Sequence, residues 1–224
     1  MFPFDEEEVT KGIKFCWINA RKLAQESDLL LQHGHVERAV VLAVLSLEEV
    51  GKLIYINELA FSLLDDVRRR AFHDARRQHH RKLTALDSYP VLIVQFARLD
   101  QKIDIDKGYN KQVQEIIKGF HRLRADLAPW LGEENNILEL DSWKQKGLYV
   151  DFDKKRGFIA PGNIQRDFAS AVVAFAVHVS AGLDLVLTDN LDRYQGTVHL
   201  IRRTVPASHF NRIRDVISEA LQGQ

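Results

Sequence analysis

The stretch "AVVLAVLSLEEVGKLIYI", residues 39–56, limits this chain most, because its apolar side chains leave almost no face of a helix for water. A helix apolar all round belongs in the middle of a bundle, covered by neighbours on every side. Glu48, Glu49 and Lys52 interrupt it. Charges enter such a place only with partners, since an unpaired buried charge costs several kcal/mol or more. The rest of the chain must therefore supply groups that meet them.

With 12 Gly and 5 Pro in 224 residues, and helical periodicity along most of its length, the chain is expected to be all-α, one domain over residues 1–224. A first helix is predicted over 5–32. Gly34 in "HGH" then supplies a turn that returns a second helix, 36–64, antiparallel to the first. A third helix is predicted from Asp65, capped by Asp65 or Asp66 and broken at Pro90, with "VLIVQFARL" a further apolar helix. A fourth is expected over 111–127. Residues 131–163 depart from the helical pattern, and "LYVDF" and "GFIA" flanking "DKKR" predict a short β-hairpin near 147–160. A long apolar helix is expected over 164–191 and a last one over 206–221.

The segment "FASAVVAFAVHVSAGLDLVL" has about the 20 apolar residues a bilayer span needs. His178 and Asp184 interrupt it and no aromatic belt frames it, so a buried central helix is expected and no membrane. The acidic start "MFPFDEEEV" is unlike a secretory leader, and the lone Cys16 suits a reducing compartment, so the expected location is cytoplasmic. By its place beside Ile13, Trp17 and Ala20, Cys16 is expected to be a buried thiol. The 31 acidic and 31 basic residues exclude a surface that grips nucleic acid everywhere, though not a local basic patch.

On the third helix the apolar stripe Val67, Ala71, Ala75, Leu83, Leu86 turns His79 inward, with Lys82 one turn further on the same side. Glu48 and Glu49 precede Lys52 by four and three residues, which suits helical ion pairs. The economical arrangement has Glu48 or Glu49 meeting His79 and Lys82. Two interpretations stand: a structural polar network that sets helix register, or a catalytic cluster of His79, Lys82, Glu48, Glu49 and Lys52. One His with two Glu is a sparse ligand set, so neither metal nor cofactor is expected. In the basic run "RRRAFHDARRQHHRK", Arg76, Arg77 and Arg81 fan over the outer side of the helix as candidate RNA contacts, or as a solvated face.

Taken together, "AVVLAVLSLEEVGKLIYI", "HHRKL" and "KQKGLYVDFD", in this order, resemble the AbiV family of bacterial abortive infection proteins, part of the HEPN superfamily. The resemblance covers roughly residues 10–190 and carries over Glu48, Glu49, Gly51 and Lys52, then His79 and Lys82, then Leu148, Tyr149, Val150 and Asp151. It implies a HEPN-like antiparallel helical bundle acting in phage defence on RNA or the translation machinery, as a metal-independent endoribonuclease. A homodimer is implied as well, with RNA and a phage or host protein as partners. The alternative is a non-catalytic protein that works by binding a protein partner. Many HEPN ribonucleases carry Arg, four to six residues, then His. Arg68/His73, Arg193/His199 and Arg203/His209 meet that spacing. Chance placement of this many Arg and His gives about two such matches, so spacing alone identifies no site.

Overall fold

The computed structural model describes residues 5–61, 78–99, 111–132, 136–149, 151–153, 157–159, 161–162 and 164–204. Helix α1 (Glu6–Gln32) begins where Asp5 Oδ1 accepts the Glu8 amide at 2.8 Å. It ends at a turn in which the His35 amide reaches back to Leu30 O and Gly34 sits at φ 82°, a left-handed conformation that glycine adopts without steric cost. Helix α2 (Val36–Phe61) returns along α1. It also touches α3 (His79–Ala85), α6 (Glu139–Leu148) and α7 (Arg166–Leu187), which is why its sequence is apolar on nearly every side. The described elements share one apolar cluster, in which Ile13, Val44, Leu47, Leu53, Leu83, Phe120, Phe168 and Phe175 are buried.

Pro90 lies in the first turn of α4 (Tyr89–Ala97), after a 3-10 turn at Leu86–Ser88, so the chain breaks where its ring cannot accept a preceding helix. Helix α5 (Lys111–Asp126) follows the expected span. The expectation for residues 131–163 needs correction, because α6 occupies Glu139–Leu148. Its inward stripe runs through Leu140, Lys144 and Gly147, and a lysine and a glycine at core positions hid the helical period. The hairpin follows: β1 (Asp151–Asp153) pairs antiparallel with β2 (Gly157–Ile159), Phe152 facing Phe158.

Helix α7 has the length and mean hydropathy, 1.9, of a membrane span, with 56% of that window buried in the fold. Each of its polar interruptions finds a partner. Asp184 Oδ1 accepts from Trp17 Nε1 of α1 at 2.6 Å, and His178 Nε2 lies 2.8 Å from Ile116 O of α5. From α4, the buried Tyr89 hydroxyl donates to Val179 O at 2.9 Å. The expected helix end near residue 191 becomes a corner at 188–190, and α8 (Leu191–Thr204) then runs straight through Gly196. Of the third predicted helix, residues 65–77 lie outside the described residues, and so does the helix predicted over 206–221.

Two glycines set the spacing of the helices around α2. A Cβ on Gly51 would lie 1.8 Å from Lys82 O, so α2 and α3 meet backbone to backbone. A Cβ on Gly147 would lie 2.9 Å from both Glu37 O and Val41 Cγ2, where α6 crosses α2. Gly51→Ala is therefore expected to destabilise the fold by about 1–3 kcal/mol or more, as overpacking against backbone does. Gly196→Ala, with nothing within 4 Å, should stabilise α8 by about 0.5–1 kcal/mol. Urea unfolding of the two variants should move their midpoints in opposite directions.

Candidate functional site: a Glu–His–Lys cluster between three helices

The close approach of α3 and α6 to α2 delivers two donors to one carboxylate. Glu48, 3% exposed, stands on α2. Its Oε2 lies 2.6 Å from Nδ1 of His79 on α3, and its Oε1 accepts from Nζ of Lys144 on α6. Lys144 Nζ also lies 2.6 Å from Asp141 Oδ1, one turn earlier, and 3.3 Å from His79 Nδ1. A carboxylate only accepts, so His79 Nδ1 carries the proton it donates to Glu48. Lys144 and His79 are thus two donors sharing one acceptor. The His79 side chain is half exposed, and its Nε2 has no hydrogen-bond partner among the described residues.

His79 meets Glu48 as the sequence led one to expect. Lys82 does not: it is buried, but its ammonium makes no ion pair with a described residue, and Lys144 holds the place foreseen for it. Burial lowers the Lys82 ammonium below its ordinary value. Glu48 and Glu49 act to raise it, and Lys52 and Lys144 act to lower it. Glu49 turns away from this cluster. It pairs with Lys52 at 2.5 Å, its side chain 18% exposed, on the α1 side of α2 where it borders Cys16. Burial, then Glu49, pushes the Cys16 thiol up to about 12, so it is a protonated core group.

Arg81 is exposed on α3, and Arg76 and Arg77 lie outside the described residues. Of the three Arg/His spacings, only Arg193 and His199 are both described. Both are exposed on α8, but six residues turn them about 240° apart, so they do not share a face. Tyr149 is 60% exposed and outside the cluster, and the Asp151 backbone opens the hairpin.

The residues missed from sequence are Lys144 and Asp141. Their signal was an Asp and a Lys three apart on a helix whose inner stripe is Leu140, Lys144, Gly147, with Lys144 the first residue of "KQKGLYVDFD".

Burial tends to lower the Lys144 ammonium, but Asp141 and Glu48 outweigh it and hold the group above its ordinary value. A base raised on folding contributes stability that is complete below its unfolded value, so the clasp is intact at neutral pH and is lost only in strong alkali. With Glu48 and Lys144 both 3% exposed, Lys144→Ala or Glu48→Ala is expected to cost about 3–5 kcal/mol in thermal or urea unfolding. Glu49→Ala, in a more exposed pair, should cost less than about 1 kcal/mol. Lys82→Met, which removes a buried cation with no ion-pair partner among the described residues, should hold or raise Tm, and a large fall would contradict this assignment of partners.

The family model for AbiV, of the HEPN type, matches residues 8–181, a span that includes most of α1, all of α2, the whole Glu48–His79–Lys144 cluster, the hairpin and most of α7. No curated protein and no solved structure matches the chain. With most of its length matched and a helical bundle built around that match, this chain belongs to the AbiV family of HEPN proteins.

Proposed function

We propose that this AbiV-family protein acts in the cytoplasm in abortive infection against phage, engaging RNA or the translation machinery, and that His79 gives it a metal-independent ribonuclease step. The observation that supports this reading is the state of His79. Its Nδ1 is held by a buried carboxylate, its Nε2 has no described partner, and half of its side chain meets solvent. An imidazole fixed in that tautomer offers a lone pair to a 2′-hydroxyl, and in its protonated form a proton to the leaving oxygen. Glu48 stabilises the imidazolium that forms between the two steps, as an orienting carboxylate does behind a catalytic histidine. Lys144 holds the Glu48 carboxylate in place from its other side. Arg76, Arg77 and Arg81, on the basic run beside His79, are the proposed phosphate contacts.

The competing reading is a non-catalytic helical protein that acts by binding a protein partner. The burial of Glu48 and Lys144 favours it, since a substrate cannot touch either. Purified protein incubated with total cellular RNA in EDTA separates the two. Cleavage is expected, and His79→Ala should slow it by about 10²–10⁴-fold while the protein stays folded. A folded wild-type protein that leaves RNA intact would sink the ribonuclease reading and favour the binding protein.

The proposal includes a homodimer. Val177 and Leu185, on the outer side of α7, are 37% and 48% exposed, more apolar surface than a central helix needs to show. Light scattering at micromolar concentration should give twice the chain mass.

A further inference from the structure

We propose that Glu48, His79 and Asp141 form a binding site for a divalent cation of the zinc class, and that the Lys144 ammonium is a built-in cation that keeps it closed. Each of the three side chains offers one donor atom, and the three atoms lie within 4.8 Å of one another. Two carboxylates and one imidazole make an oxygen- and nitrogen-donor set that suits borderline divalent ions.

The position of Lys144 is the second observation. Its Nζ bonds Glu48 Oε1, lies 2.6 Å from Asp141 Oδ1 and is 3.3 Å from His79 Nδ1, so a positive charge already sits among the three donors. The fold has thus built a point where a cation is stabilised. Two carboxylates carry a charge of −2, of which the ammonium cancels one; a divalent ion in the place of the ammonium would neutralise both in full. Among the described residues Asp141 Oδ1 is met only by the Lys144 ammonium, so displacing that ammonium would free its lone pairs for another cation. Half-exposed His79 and one-third-exposed Asp141 form the open side of the cluster, with Glu48 at its closed end.

A divalent ion and an ammonium cannot share this space, because like charges at such separations repel strongly even in a screened interior. Lys144 therefore selects between two states of the cluster: ammonium in and metal out, with the imidazole proton on His79 Nδ1, or metal in, with the lysine stem displaced and that proton moved to Nε2. The inference does not depend on the ribonuclease reading, because its readout is metal affinity rather than cleavage.

The full-length protein and its Lys144→Met variant should be titrated with Zn²⁺ by calorimetry and with Co²⁺ by visible absorption. Removing the ammonium is expected to tighten binding at least about 100-fold, given the repulsion it lifts. Zn²⁺ should also raise the Tm of the variant and not that of the wild type at the same concentration. Adding His79→Ala to Lys144→Met should abolish the gain. Lys144→Gln, neutral but polar, serves as the second variant and should behave in the same way. If neither variant folds alone, refolding in Zn²⁺ but not in Mg²⁺ supports the site, and failure in both overturns it. The proposal is equally overturned if a folded variant binds Co²⁺ no better than wild type, or if the gain survives His79→Ala.

Discussion

A single buried carboxylate joins three helices that contact one another mainly through α2. Glu48 receives His79 from α3 and Lys144 from α6, and neither of those helices is long: α3 spans His79–Ala85 and α6 spans Glu139–Leu148. Short helices have little propensity to stand alone and depend on tertiary contacts for their order. Here the contact is ionic and directional, so it fixes register as well as proximity. The charge in turn depends on both donors, since a buried carboxylate deprived of them would meet the full cost of desolvation. Gly51 and Gly147 belong to the same arrangement, because side chains there would hold α3 and α6 away from α2 and stretch the bonds to Glu48.

Glu48 and Glu49 show how far the surroundings decide what a residue type does. One helical step separates them by about 100°, enough to send them to different neighbours. Glu48 enters a closed cluster with two donors from other helices, while Glu49 pairs with Lys52 on its own helix and borders the Cys16 thiol. The same chemistry is a clasp between elements in one case and a local ion pair in the other. Helix α7 follows a similar rule. Asp184 and His178 would be costly in a lipid-facing helix, yet each lies within bonding distance of a group from another helix, and those bonds hold α1 and α5 against it.

Much of the bundle was legible in the sequence where hydrophobic periodicity and chain breakers agree. The α1–α2 hairpin with its turn at Gly34, the break before α4 at Pro90, helix α5 and the hairpin of β1 and β2 all follow from local rules. So does the pairing of Glu48 with His79, because an inward histidine and an inward glutamate on two helices of a bundle have few other places to go. Helix α6 was hidden for a local reason: a lysine and a glycine occupy the core positions that apolar residues normally mark. Helix α8 over 191–204 falls between the two helices that the sequence predicts there: Gly196 weakens a helix by only about 1 kcal/mol, which tertiary packing through Tyr194 and Val198 outweighs.

The sequence by itself determined that α2 would be buried and that its charges would need partners, because burial follows from composition around the helix and pairing from the cost of an isolated charge. Which partners they would be was decided only in three dimensions. Lys82 and Lys144 are equally plausible cations on paper, and their separations from Glu48 along the chain, 34 and 96 residues, carry no geometry. The close crossing at Gly51 brings the backbone of Lys82 against α2, while the crossing at Gly147 brings the Lys144 ammonium onto the Glu48 carboxylate. Crossing geometry is set by side chains from both helices at once, and no local pattern in either one contains it.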